Sequence, residues 1–123
     1  MARILVIEDE FDIRDEVMNW LEFEGHEVIG AENGKQGLEA ICREHPDLVF
    51  CDICMPVMNG HQVLSALRAN QDCVNIPFVF LTAAADQDTM YQSKGLGADE
   101  YLVKPFSHAE IIGIVKARTA QQK

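Results

Sequence analysis

Four apolar runs in this chain lead directly into side chains that could act on phosphorus. Ile4–Ile7 is followed by Glu8-Asp9-Glu10, Leu48–Cys51 by Asp52, Phe78–Leu81 by Thr82, and Tyr101–Val103 by Lys104. If these runs are parallel strands of one sheet, their carboxyl ends share an edge, and ligands bind in the crevice outside that edge. Carboxylates crowded there raise one another's pKa values unless something positive intervenes, and Lys104 alone supplies too little charge. A hard divalent cation held by carboxylate oxygens, a backbone carbonyl and waters answers the problem. The small ligand set suits magnesium, which keeps several waters. Beside such a cation, a carboxylate such as Asp52 can attack phosphorus as a nucleophile while metal and lysine balance charge on the transferred oxygens. Thr82 adds a hydroxyl to the same rim. No one of these residues means much alone, since a single acid after a strand is more often a helix cap or turn residue; Asp12 and Asp86 are read that way.

The elements that must position these groups follow from hydrophobic period. Short β-rich runs alternate with longer helical segments, the pattern of βαβ units around a parallel sheet. The strands are Ile4–Ile7, Val28–Ala31, Leu48–Cys51, Phe78–Leu81 and Tyr101–Val103. Ile13, Val17, Trp20 and Leu21 line one face of a first helix, with Asp12 as its expected cap and Gly25 as its end. Leu38, Ile41 and Cys42 mark the apolar side of a second, stopped by His45-Pro46. A third starts after Asn59-Gly60 and buries Val63, Leu64 and Leu67. A fourth, about Asp86 to Leu96, has only Met90, Tyr91 and Leu96 as large apolar anchors, so weak packing and mobility are expected. The last opens with Ser107 and Glu110 at capping-box spacing and buries Ile111, Ile112 and Val115. The expected fold class is α/β, a doubly wound five-stranded parallel sheet with helices on both faces, in one domain over residues 1–123.

Composition narrows the function. The net charge is −10, and residues 1–50 hold 13 acids against 4 bases. Nucleic-acid binding needs the opposite sign, so direct DNA or RNA contact by this chain is not expected. The first apolar run is only four residues long, too short for a signal peptide or membrane span. A cytoplasmic setting with four reduced cysteines is the expectation. Cys51-Asp52-Ile53-Cys54 is formally a C-x-x-C motif. Three extended steps would separate the two Cα atoms by about 10 Å, however, beyond the roughly 7 Å that a disulfide tolerates, unless the chain turns sharply after Asp52. The acidic surroundings also disfavour a thiolate. With no second C-x-x-C, structural zinc is weakly supported too. His26, His45, His61 and His108 are scattered and read as surface residues.

Two other classes share this architecture. A flavodoxin-like carrier needs a hydroxyl- and glycine-rich phosphate loop after the first strand, where Glu8-Asp9-Glu10 would repel phosphate. A haloacid-dehalogenase-type hydrolase wants a second acid two residues after its nucleophile, where this chain has Cys54. Neither G-x-G-x-x-G nor Walker A is present.

The sequence resembles the receiver domain of two-component response regulators, including the chemotaxis regulator, across its whole length. The matching stretches are Ile4–Glu10, Asp47–Gly60, Ile76–Ala83 and Gly97–Phe106, in the family's order. The resemblance implies the flavodoxin-like strand order 2-1-3-4-5. It implies that Asp52 is the phosphoacceptor, and that Asp9, Asp52 and the backbone carbonyl of Cys54 hold magnesium, with Glu8 acting directly or through water; manganese can substitute. Thr82 and Lys104 would each meet a phosphoryl oxygen, and the Lys104-Pro105 bond would be cis. Tyr101 stands at the aromatic switch position, and Cys54 and Ala84 at positions that help set phosphoryl lifetime. The implied function is a phosphorelay receiver rather than a multiple-turnover enzyme. It takes its phosphoryl group from a phosphohistidine of a sensor kinase or phosphotransfer protein and switches the surface of the fourth helix, fifth strand and fifth helix toward an effector. The chain is expected to be either a stand-alone regulator or an excised receiver, monomeric or forming a phosphorylation-promoted homodimer, with no membrane partner and no other cofactor expected.

Overall fold

The structure is a computed structural model that describes residues 1–83 and 98–119. Five strands, β1 (Arg3–Ile7), β2 (Glu27–Ala31), β3 (Leu48–Asp52), β4 (Phe78–Ala83) and β5 (Glu100–Lys104), form one sheet in the order β2-β1-β3-β4-β5. Every neighbouring pair is parallel. The runs in β1 and β3 are continuously apolar because a parallel sheet is covered on both faces. Alternation then sorts their side chains into two cores. Leu5, Ile7, Val49, Cys51, Phe78 and Phe80 pack with α2 (Gly34–Glu44) and α3 (Gly60–Ala69) on one face. Ile4, Val6, Leu48, Phe50, Val79 and Leu81 pack on the other with α1 (Phe11–Phe23) and the C-terminal helix (His108–Thr119). Each large side chain removed from water contributes about 1.5–3 kcal/mol, so a sheet buried on both faces is the main stabilising element. The strands match the sequence expectation, extended so that Asp52 closes β3, Thr82 is the penultimate residue of β4 and Lys104 closes β5.

The helices differ from expectation at three points. The cap of α1 lies two residues before the expected Asp12: Glu10 occupies the N-cap in extended backbone, without a side-chain cap bond, and Asp12 lies in the first turn. An acid there still complements the helix dipole. Second, α2 does not pack through Leu38 and Cys42, which are half-buried and exposed. Its inner face is Gly34, Gly37, Ala40 and Ile41. A Cβ at Gly37 would lie 2.4 Å from Ile7 Cδ1, so α2 reaches the sheet only through a glycine. Third, Ile112 is half-buried, while Ile111 and Val115 are buried. The expected capping box is present: Glu110 N donates to Ser107 Oγ at 3.1 Å, and Ser107 N to Glu110 Oε1 at 2.9 Å. His45 ends α2 in the left-handed region at φ 47°. The segment Asp86–Leu96 and Ala84 lie outside the described residues.

Candidate functional site

The strand register determines which sequence-distant groups share the carboxyl edge. Ile7 pairs with Cys51, Asp52 with Leu81, and Ala83 with Lys104, so the residues at the ends of β1, β3, β4 and β5 lie side by side. Carboxylate oxygens of Glu8, Asp9 and Asp52 lie within 4.8 Å of one another. Glu8 is fully buried, Asp52 is 7% exposed, and Asp9 faces solvent. Lys104 Nζ donates to Glu8 Oε1 at 2.7 Å and stands 3.5 Å from Asp52 Oδ1. The Lys104-Pro105 peptide is cis.

The electrostatics are those of an under-compensated acidic cavity. Burial pushes Glu8 up to about 8, with the hydrogen bond to Asp52 and the Asp52 charge adding to it and Lys104 opposing it. Burial on its own would lower Lys104. The hydrogen bond to Glu8 and the charges of Asp52, Glu8 and Glu10 outweigh it and hold the ammonium above its ordinary range. Among the described residues one ammonium therefore serves three carboxylates, and Glu8 Oε2 is buried with no hydrogen-bond partner. An all-oxygen donor set with a spare buried acceptor fits a hard divalent cation.

Other groups shape this edge. Gly60 opens α3 against β3: a Cβ there would lie 2.5 Å from the Asp52 carbonyl oxygen and 2.9 Å from Ile53 Cα, so glycine is required for the helix to start so close to the acceptor strand. Asn59 caps that start reciprocally with Gln62, each side chain accepting the other's backbone N–H at 2.9 Å. Arg14 donates to the Glu8 carbonyl at 2.6 Å. Nothing in the sequence pointed to Arg14; the Asn-Gly-x-Gln pattern could have indicated Gly60. In the loop between β3 and α3, Val57 is 77% exposed and adopts φ 72°, a left-handed conformation that β-branched residues rarely take.

The structure thus gathers Glu8, Asp9, Asp52 and Lys104 into one cluster. Thr82 is buried at the same edge on β4. The Cys54 side chain is exposed in the loop beyond Asp52. Tyr101 sits farther back on β5, stacked on Phe80 at a centroid distance of 6.1 Å, its hydroxyl buried without a hydrogen-bond partner among the described residues. Cys51 is buried with its thiol donating to the Asp52 carbonyl oxygen at 3.2 Å. Burial, reinforced by the charges of Asp52 and Glu8, pushes that thiol well up and disfavours the thiolate that redox chemistry requires. Two histidines read as surface residues, His26 and His61, are half-buried instead.

Comparison with known proteins places this geometry in a large set. Residues 4–116 match the family model described as response regulator receiver domain. The phosphate regulon transcriptional regulatory protein PhoB of Pseudomonas aeruginosa is 36% identical over 114 residues, covering 93% of this chain and 50% of the relative. A probable transcriptional regulator, ycf27 of Porphyridium aerugineum, is 41% identical over 109 residues, covering 89% of this chain and 44% of the relative. The chain spans about half the length of the curated relatives it matches. Among solved structures, the chemotaxis protein CheY4 of Vibrio cholerae superposes with a TM-score of 0.89 at 29% identity, covering 96% of this chain and 98% of that one. The signal receiver domain of a signal transduction histidine kinase from Syntrophus aciditrophicus gives 0.93 at 27% identity, covering 100% and 93%.

Proposed function

The chain belongs to the response regulator receiver domain family, and from that premise we propose that it is a magnesium-dependent phosphoacceptor switch in which Asp52 carries the phosphoryl group. The observation that carries this reading is the nearly buried Asp52 carboxylate, 3.5 Å from Lys104 Nζ and grouped with Glu8 and Asp9. In the proposed step a carboxylate oxygen of Asp52 attacks the phosphorus of a phosphohistidine on a sensor kinase or phosphotransfer protein. A P–O bond forms, the P–N bond breaks, and the imidazole leaves with its electron pair to take a proton. Lys104 offsets the charge of the phosphoryl oxygens, and the Thr82 hydroxyl donates to one of them. Glu8, Asp9, Asp52 and the Cys54 carbonyl are the residues that would hold magnesium. When bound, the ion supplies charge neutralisation at the transferred oxygens.

The product is a modified protein rather than a released compound, so the role is regulatory. Its output is read from β5 and the C-terminal helix through Thr82 and Tyr101, together with the segment expected as a fourth helix. The net charge of −10 supports partners other than nucleic acid for this region itself. A cytoplasmic setting is consistent with the absence, among the described residues, of a helix long and apolar enough to cross a membrane. Matches to half of longer transcriptional regulators support an effector domain as the downstream partner, either within a longer protein spanning more than residues 1–123 or on a separate one, with dimerisation promoted by phosphorylation. Incubation with acetyl phosphate and magnesium tests the assignment: intact mass should rise by one phosphoryl group, and Asp52→Asn should abolish the gain. Stoichiometric labelling of the variant would overturn it.

A further inference from the structure

Away from the acidic rim, at the opposite edge of the sheet, a cysteine on α2 and a cysteine in the turn after α3 meet the same residue. Cys42 lies near the C-terminal end of α2 and is exposed; Cys73 lies between α3 and β4 and is buried. One residue joins them. Asn70, the C-cap of α3, donates its side-chain amide to Cys42 Sγ at 3.9 Å, while its carbonyl oxygen accepts from Cys73 N at 3.0 Å. Cys73 also belongs to the same core cluster as Ala40 and Ile41, the two residues that precede Cys42 on α2. Burial raises the Cys73 thiol, and a negative charge on Cys42 reaches it and raises it further.

We propose that Cys42 and Cys73 form an oxidation site, a thiol pair that closes to a disulfide under peroxide and fastens α2 to the turn following α3. The exposed Cys42 reacts first: its sulfur attacks a hydroperoxide, the O–O bond breaks, and a sulfenic acid forms as the peroxide is reduced to water or an alcohol. Cys73, whose buried thiol stays protonated and so does not meet the peroxide itself, then attacks that sulfenic sulfur; its proton leaves with the hydroxyl as a second water as the S–O bond breaks and the S–S bond forms. The two thiols together lose two electrons and two protons, all accepted by the peroxide. The remaining cysteines do not compete for this bridge. Cys51 is buried against the Asp52 carbonyl, and Cys54 is exposed at the far edge of the sheet. The closed loop encloses β3 and α3, hence Asp52, without touching the carboxylate cluster. Oxidation therefore alters the rigidity of the unit that carries the acceptor rather than its chemistry.

The test treats the full chain with hydrogen peroxide, quenches free thiols with an alkylating agent, and maps disulfides by peptide mass. The expected product has lost two hydrogens, contains a Cys42–Cys73 linked peptide, and melts about 5–15 °C higher than the reduced form, an effect reversed by dithiothreitol. Cys42→Ser, at an exposed position that should leave folding intact, should prevent both changes, while Cys54→Ser should not. Peroxide treatment that leaves two alkylatable thiols at Cys42 and Cys73, stops at separately oxidised cysteines, or links a different pair would overturn the proposal.

Discussion

At the scale of single residues, the site is a problem of charge held in a small volume. Glu8 is fully buried, and its carboxyl is raised first by that burial and then by the hydrogen bond to Asp52 and the Asp52 charge, with Lys104 opposing. The residue types were legible in sequence because each follows an apolar run; the burial of Glu8 was not, since nothing local distinguishes it from exposed Asp9 beside it. The Ala31 carbonyl that accepts its backbone N–H, the Arg14 guanidinium on its carbonyl and the Lys104 ammonium on its carboxylate hold Glu8 in place. Val57 carries a separate cost. A β-branched side chain at φ 72° is disfavoured by about 1–2 kcal/mol, and at 77% exposure it recovers little by packing. Val57→Asn, which tolerates that conformation, is expected to stabilise the protein by about 1 kcal/mol; a lower melting temperature for the variant would contradict the strain.

At the scale of elements, the sheet was legible and the helix faces were less so. The strands of a doubly covered parallel sheet announce themselves as continuous apolar runs, and all five fall where those runs lie. Helix faces were obscured wherever backbone approach, rather than side-chain size, governs packing. α2 shows Leu38 and Cys42 at helical spacing, yet Ile7 fills the space beneath Gly37, so the small residues turn inward. Asp12 was a plausible cap by type, but the chain enters the helix at Glu10. The start of β1 offers a pH test. His26 Nδ1 accepts from Ala2 N at 3.1 Å, a bond available only to the neutral ring. Burial, then the nearby N-terminal ammonium, lowers its pKa, with Glu24 opposing. A histidine whose folded pKa lies below its unfolded value of about 6.5 contributes stability that is present above that pH and lost as pH falls below it. Chemical denaturation of the wild type between pH 7 and 5 should show this loss, and His26→Asn should flatten it. Equal pH slopes for the two proteins would remove His26 from the account.

At the scale of the whole molecule, the order β2-β1-β3-β4-β5 makes the site a property of the fold. Residues 8, 52 and 104 meet only because three separate strands end at one edge, so ion binding there must be linked to global stability. An ion that binds only the folded protein adds about 1.4 kcal/mol at ten times its dissociation constant, a rise in melting temperature of roughly 3–8 °C. Titration with magnesium should produce that rise, chelation should reverse it, and Asp9→Asn should reduce it. Melting unaffected by the ion at millimolar concentrations would leave the acidic cluster without its proposed occupant. The oxidation site lies at the other edge, so its closure should raise stability additively with magnesium rather than in competition with it.

The central claim is that one carboxylate among these groups receives phosphorus. Borohydride reduction of protein labelled with acetyl phosphate, followed by peptide sequencing, reads the acceptor directly, because an acyl phosphate on aspartate is reduced to homoserine while unmodified carboxylates are untouched. The expected result is homoserine at position 52 alone, appearing only when magnesium accompanies the phosphodonor. Homoserine at another aspartate, or a phosphoryl label that resists reduction, would contradict it.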